Sequence, residues 1–219
     1  MQDTTRVLVI GDLHTPFEHK GYLTHCKAVA KTYKTTHTIF IGDVIDAHFS
    51  SYHETNPDGY GAGQELTLSI KKLGDWHKAF PNADVILGNH DRMAMRKVQT
   101  AGLSSKWLKG IDEVLETPTW SYHMRRIYDG VLYIHGEGVT AKTKALRANK
   151  SVVQGHRHTE GYVWYNPTEG RSLFGMQVGT GIDEESYAFV YAKDQPPPVL
   201  SCGVVLNNGQ VAHLIPMQI

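Results

Sequence analysis

Residues 6–14 read RVLVIGDLH, residues 38–46 TIFIGDVID and residues 83–91 ADVILGNHD. Each opens with a short β-branched apolar run and stops at glycine followed by polar, metal-capable side chains. A continuous apolar run bounded by glycine is what a strand buried on both faces looks like. Between the runs lie two helical stretches, Tyr22–Tyr33 and Gln64–Phe80, the second with Leu66, Ile70, Leu73 and Trp76 close to a 3.6-residue period. Strand, helix, strand, helix, strand predicts parallel strands joined by crossovers. In such sheets ligands gather beyond the carboxyl ends of the strands, where all three polar clusters fall.

The second half repeats the device. Val131–Ile134 ends at His135-Gly136-Glu137, and Ser151–Gln154 ends at Gly155-His156-Arg157-His158. Strand-rich sequence follows: Tyr162–Tyr165, Leu173–Val178, Val199–Leu206 and Val211–Ile215. Asn207-Asn208-Gly209 is a hairpin signal between the last two. Asp194–Pro198 (DQPPP) reads as a stiff connector rather than a boundary, so residues 1–219 are expected to form one domain.

The donors at the five strand ends are Asp12, His14, Asp43, Asp46, Asn89, His90, Asp91, His135, His156 and His158. One alone would be unremarkable, because a histidine at a strand end is more often a hydrogen-bonded surface residue. Five separate strand ends delivering donors to one edge is a different matter. In Asp12-x-His14 and His156-x-His158, alternate residues leaving a strand point the same way and can reach one region. Mixed carboxylate, amide and imidazole donors suit divalent ions such as Mn²⁺, Fe²⁺, Zn²⁺ or Ni²⁺, and do not suit a thiolate structural zinc site.

GDLH, GDVID, GNHD, a lone HG and GHRH, in that order from Gly11 to His158, resemble the calcineurin-like metallophosphoesterase superfamily. The resemblance implies an α/β fold, a four-layer αββα sandwich in which two central mixed β-sheets are flanked by helices. It also implies two divalent ions per chain, manganese foremost. Asp12, His14, Asp43 and His158 would hold one ion; Asp43, Asn89, His135 and His156 would hold the other, with Asp43 bridging. His90 would protonate the leaving oxygen or stabilise the phosphoryl group, with Asp91 orienting it and stabilising its charge. Asp46 would support the site without binding metal. Arg92 and Arg157 are candidates to grip phosphate oxygens, or plain surface arginines paired with acids. His48 and, from the polar loop Ser50–Gly63, Tyr52 and His53 are candidates to face substrate. GDVID followed by GNHD departs from the GDxVDRG and GNHE of the family's protein phosphatases. That points to a phosphodiesterase acting on a nucleotide or a nucleic-acid end, with a phosphomonoesterase or an inactive binding scaffold as the alternatives.

Composition narrows the rest. Lys plus Arg (22) balance Asp plus Glu (22), which argues against a broadly basic nucleic-acid coat. No stretch approaches the roughly 20 apolar residues of a membrane span, and MQDTTRVLVIGD is no signal peptide. Cys26 and Cys202 lack ligand-like spacing and are expected as buried free thiols, so a soluble, cytoplasmic protein is expected. Oligomeric state leaves no mark in the sequence. His19, His25, His37, His77, His123 and His213 have no motif context and read as structural. Trp76, Trp107, Trp120 and Trp164 are expected in packing, with Trp107 and Leu108 alternatively capping a substrate groove.

Overall fold

The computed structural model describes residues 4–50, 56, 58–168, 171–186 and 197–218. Tyr52, His53 and most of the connector Asp194–Pro198 lie outside them. The three opening runs form β1 (Val7–Ile10), β2 (His37–Phe40) and β3 (Asp84–Ile86), mutually parallel and joined through helices α1 (Tyr22–Tyr33) and α2 (Ala62–Ala79). After β3 come α3 (Met93–Thr100), α4 (Ile111–Val114) and β4 (Ser121–His123), which adds a fourth parallel strand. The chain then crosses to a second sheet through β5 (Arg126–Tyr128), β6 (Val131–Ile134), α5 (Ala141–Ala148), β7 (Val152–Gln154), β8 (Tyr162–Thr168) and β9 (Arg171–Gln177). It returns with β10 (Ser201–Leu206) and β11 (Val211–Pro216). The two sheets run β11-β10-β1-β2-β3-β4 and β5-β6-β7-β9-β8, and both are mixed.

The alternation within β1 shows why its run is apolar throughout. Leu8 and Ile10 face a core shared with Tyr22, Cys26 and Val29 of α1 and Leu73 and Trp76 of α2. Val7 and Val9 face the other way, against Val131, Tyr133, Val153, Phe174 and Met176 of the second sheet. A strand with helices on one face and a sheet on the other has no polar side to show. Helix α5 covers the far sheet by packing on β7 and β9. The result is the expected four-layer sandwich of two mixed sheets between helices.

The elements that sequence periodicity did not announce are short: α3 and α5 span eight residues each, and β4 and β5 three each. Segments of that length carry too few apolar repeats to register against background. Trp76 and Trp120 are core residues, whereas Trp107 is 83% exposed, contrary to the packing role expected of it. Cys26 and Cys202 are buried and unbridged. His37, His123 and Arg126 converge on the carboxylate of Asp84, tying β2, β3 and β4 to β5 of the other sheet.

Burial pushes the Asp84 carboxyl up, but hydrogen bonds from His37 and His123 and the charge of Arg126 outweigh it and hold the group below its ordinary 3.8. A carboxylate depressed on folding contributes stability above its unfolded pKa and loses it as pH falls through the folded value. Asp84→Asn is therefore expected to cost about 1–3 kcal/mol at neutral pH. The penalty should shrink as pH falls below 3.8 and through the lowered folded-state value, as read from urea midpoints of both proteins across the range.

Candidate metal centre

The parallel strands β1, β2 and β3 of one sheet and β6 and β7 of the other end at the same edge. Their first residues beyond the ladder supply Asp12 and His14, Asp43 and Asp46, Asn89 and His90, His135, and His156 and His158. Candidate ligand atoms of Asp12, His14, Asp43 and His158 lie within 4.8 Å of one another, and so do those of Asp43, His135 and His156. Asp43 belongs to both groups. Asn89 joins the second, with its Oδ1 3.0 Å from His135 Nε2. All seven expected ligands are thus gathered into two sets that share one carboxylate.

Main-chain geometry makes this convergence possible. His14, Asp43 and His156 have φ of 48°, 46° and 72°. Non-glycine residues in the left-handed region cost of order 1–3 kcal/mol each and persist where their surroundings over-determine them. Two glycines provide the close approach: a Cβ on Gly88 would strike the Asp43 carboxylate, and one on Gly155 would strike that of Asp12. Main-chain amides hold the same carboxylates. His90 N–H donates to Asp43 Oδ1 at 2.8 Å, and His156 N–H donates to Asp12 Oδ2 at 2.7 Å. Thr180 Oγ1 and the Gly181 amide donate to the Asp12 carbonyl, bracing the β1 exit from below. Nothing in the sequence marks Thr180 for that part.

The proton arrangement fits a cation. His14 Nδ1 donates to Asp46 Oδ1 at 2.6 Å, which leaves Nε2 to face Asp43 Oδ2 at 3.5 Å and His158 Nε2 at 3.2 Å. His135 Nδ1 donates to the Ile41 carbonyl, which leaves Nε2 among Asp43 Oδ2, Asn89 Oδ1 and His156 Nδ1, at 3.0–3.1 Å. Lone pairs aimed at lone pairs are repulsive unless positive charge lies between them. Asp12 Oδ1 is buried with no hydrogen-bond partner among the described residues. Electrostatics give the same answer. Burial pulls His135 down, yet the charges of Asp43 and Asp12 carry it up to about 10. A pocket that demands a buried imidazolium demands a cation, and the residues present fit divalent metal.

The surrounding residues divide. Asp46 is fully buried and holds the His14 ring through its carboxylate. It also holds His90, whose Nδ1 lies 2.5 Å from the Asp46 carbonyl oxygen and 3.5 Å from its carboxylate. The orienting contact expected of Asp91 is therefore made by Asp46. The Asp91 carboxylate turns inward and accepts from the amides of Val44, Ile45 and Gly88, binding the β2 and β3 exits together. Asp91 reaches His90 only through its charge. Burial and the charge of Asp43 push the Asp91 carboxyl up to about 7. Arg92 pairs with Glu137 and donates to the Gly88 carbonyl, and Arg157 pairs with Glu160. His48 does not face solvent: it is fully buried, with Nδ1 2.6 Å from Glu65 Oε2, because the turn after Asp46 folds under helix α2. His37, His77 and His123 are engaged away from the centre, as structural histidines.

The family model for calcineurin-like phosphoesterases matches residues 5–179, and the chain belongs to that family. The solved structure of an archaeal phosphodiesterase superposes with a TM-score of 0.52 at 12% identity, covering 97% of this chain and 100% of that one. Vacuolar protein sorting 29 from Cryptosporidium parvum superposes with 0.51 at 16% identity, covering 98% and 92%. Likeness at those identities shows the shared fold. Comparison with curated proteins gives no match. No helix among the described residues is long and apolar enough to cross a membrane.

Removing a hydrogen-bond partner behind a metal-ligating histidine weakens metal binding about 10–100-fold. Asp46→Ala is expected to do so here, as measured by competition with a chelating dye for Mn²⁺. Gly88→Ala should be worse, with metal content falling below two ions per chain while far-UV circular dichroism stays native. Unchanged affinity in both variants would remove the cluster as the metal site.

Proposed function

We propose that the chain is a two-metal phosphoesterase that favours phosphodiesters, with nucleotides and nucleic-acid ends the first substrates to try. The observation that carries this reading is the sharing of the Asp43 carboxylate between two sets of nitrogen and oxygen donors. Two divalent ions so placed supply a hydroxide at neutral pH and neutralise charge on the phosphoryl oxygens. The chain's own residues supply the rest. Asp12, His14, Asp43 and His158 would hold one ion and Asp43, Asn89, His135 and His156 the other. Manganese is the first candidate for both, and iron, zinc and nickel suit the same donors.

His90 stands beside the cluster without joining it. Its Nδ1–H is committed to the Asp46 carbonyl, so Nε2 is the nitrogen that can pass a proton to a leaving oxygen. Without an ion in the cluster, burial lowers the His90 pKa and the negative charges of Asp43 and Asp46 outweigh it and raise it. Asp46 thus fixes the tautomers of a metal-facing histidine and of the acid at once. The scaffold alternative loses ground because no ligand position or acid has been lost.

The test is hydrolysis of bis-p-nitrophenyl phosphate and p-nitrophenyl phosphate after chelator treatment and Mn²⁺ restoration. Diester cleavage is expected, falling at least about 10²-fold in Asp43→Ala and His90→Ala. Cleavage of the monoester alone would replace the phosphodiesterase with a phosphatase. Silence on both, with no metal retained, would leave the scaffold.

A further inference from the structure

A cavity of about 480 Å³ lies between the two loops that carry the metal centre and helices α2, α3 and α4. It begins one residue from the chemistry. Ala47 follows Asp46, and Asp91 and Arg92 follow His90; all three line it. The volume is within the range of small-molecule pockets. Its walls are largely apolar, with Ile45, Phe49, Leu66, Met95 and Leu108 prominent.

The charged groups on the walls are already engaged, and Ser50 and Ser105 add hydroxyls to the lining. Asp91 accepts three main-chain amides, Glu65 accepts the His48 amide, and Ser69 donates to the Thr15 carbonyl. Arg92 is held by Glu137 and the Gly88 carbonyl, and Lys109 by Glu113. A ligand entering the cavity therefore meets mostly hydrocarbon, with few groups to answer polar edges of its own. Three large apolar side chains of the lining are left exposed, Phe49 at 47%, Leu66 at 37% and Leu108 at 39%, with Leu103 at 55% and Trp107 at 83% close by in sequence. Apolar surface left open around a concave site is a mark of ligand binding.

We propose that this cavity receives an alkyl or aryl group esterified to the phosphate that the metal centre holds. This rests on the two-metal reading of the cluster, narrows its substrate to phosphate esters with an apolar arm, and puts such esters ahead of the nucleotides named above. A nucleobase, which is recognised through its hydrogen-bonding edges, fits these walls less well.

The experiment is calorimetric binding of 2-naphthylmethylphosphonate, methylphosphonate and thymidine 5′-methylphosphonate to Mn²⁺-loaded protein. Wild type is compared with Ala62→Phe and Ala94→Phe, which fill the cavity from two different helices at solvent-exposed positions. The naphthyl compound is expected to bind wild type about tenfold or more tightly than methylphosphonate, with that ratio collapsing towards one in both variants. Equal binding of those two compounds would overturn the proposal. So would a preference that survives both substitutions, or tighter binding of the thymidine compound. Bis-p-nitrophenyl phosphate hydrolysis is followed in parallel: a naphthyl preference in protein that cleaves no ester would keep the cavity and remove the hydrolase.

Discussion

The Asp43 carboxylate is the point on which the rest of the centre depends. It sits fully buried over the bare Cα of Gly88, takes the His90 amide on one oxygen and faces His14 and His135 with the other. Burial alone would favour its neutral form, but the charges of His135, His90 and His14 hold it well below the usual carboxylate range. An anion kept there by its surroundings, between imidazoles from two different sheets, is a site prepared for cations before any arrive. The strained φ of Asp43 is tolerated because the strand exits around it leave its main chain no alternative.

Asp46 and Asp91, each a few residues after a candidate ligand in its own motif, divide the labour behind the site. Asp46 takes a ring nitrogen of both His14 and His90, the first on its carboxylate and the second on its main-chain carbonyl. Asp91 closes the two neighbouring strand exits by accepting their amides. Its burial against Asp43 raises its pKa, so the same group that stabilises the loops is also a source of local electrostatic tension. Behind both, the turn through His48 tucks under α2, which places the apolar wall of the neighbouring cavity directly against the loop that carries the site.

Sequence pattern and tertiary structure contributed different things. The nine strands read as apolar runs and the two long helices reappear, most ends moved by at most about two residues and the end of β8 by three, from Tyr165 to Thr168. A strand buried on both faces leaves a signal that needs no partner to be recognised. The ten donors were likewise legible, since glycine-then-polar at a strand end is a local device, and seven of them meet in two sets. The short elements α3, α5, β4 and β5 were not legible, because three to eight residues hold too little periodicity. Nor was the bracing of Asp12 by Thr180, which joins residues 168 positions apart.

By itself the sequence determined which side chains would be presented at one edge of two parallel-strand units, and therefore the class of chemistry available there. Only the tertiary structure decided how they share protons: that Asp46 rather than Asp91 holds His90, that His48 is buried on Glu65, and that Arg92 and Arg157 are paired with acids. It also decided that Leu108 would line a cavity while Trp107 stayed in solvent. The physical reason is range. Strand period and glycine turns are set by neighbours in the chain, whereas a hydrogen bond, an ion pair or a cavity wall is set by segments that meet only when both sheets have packed.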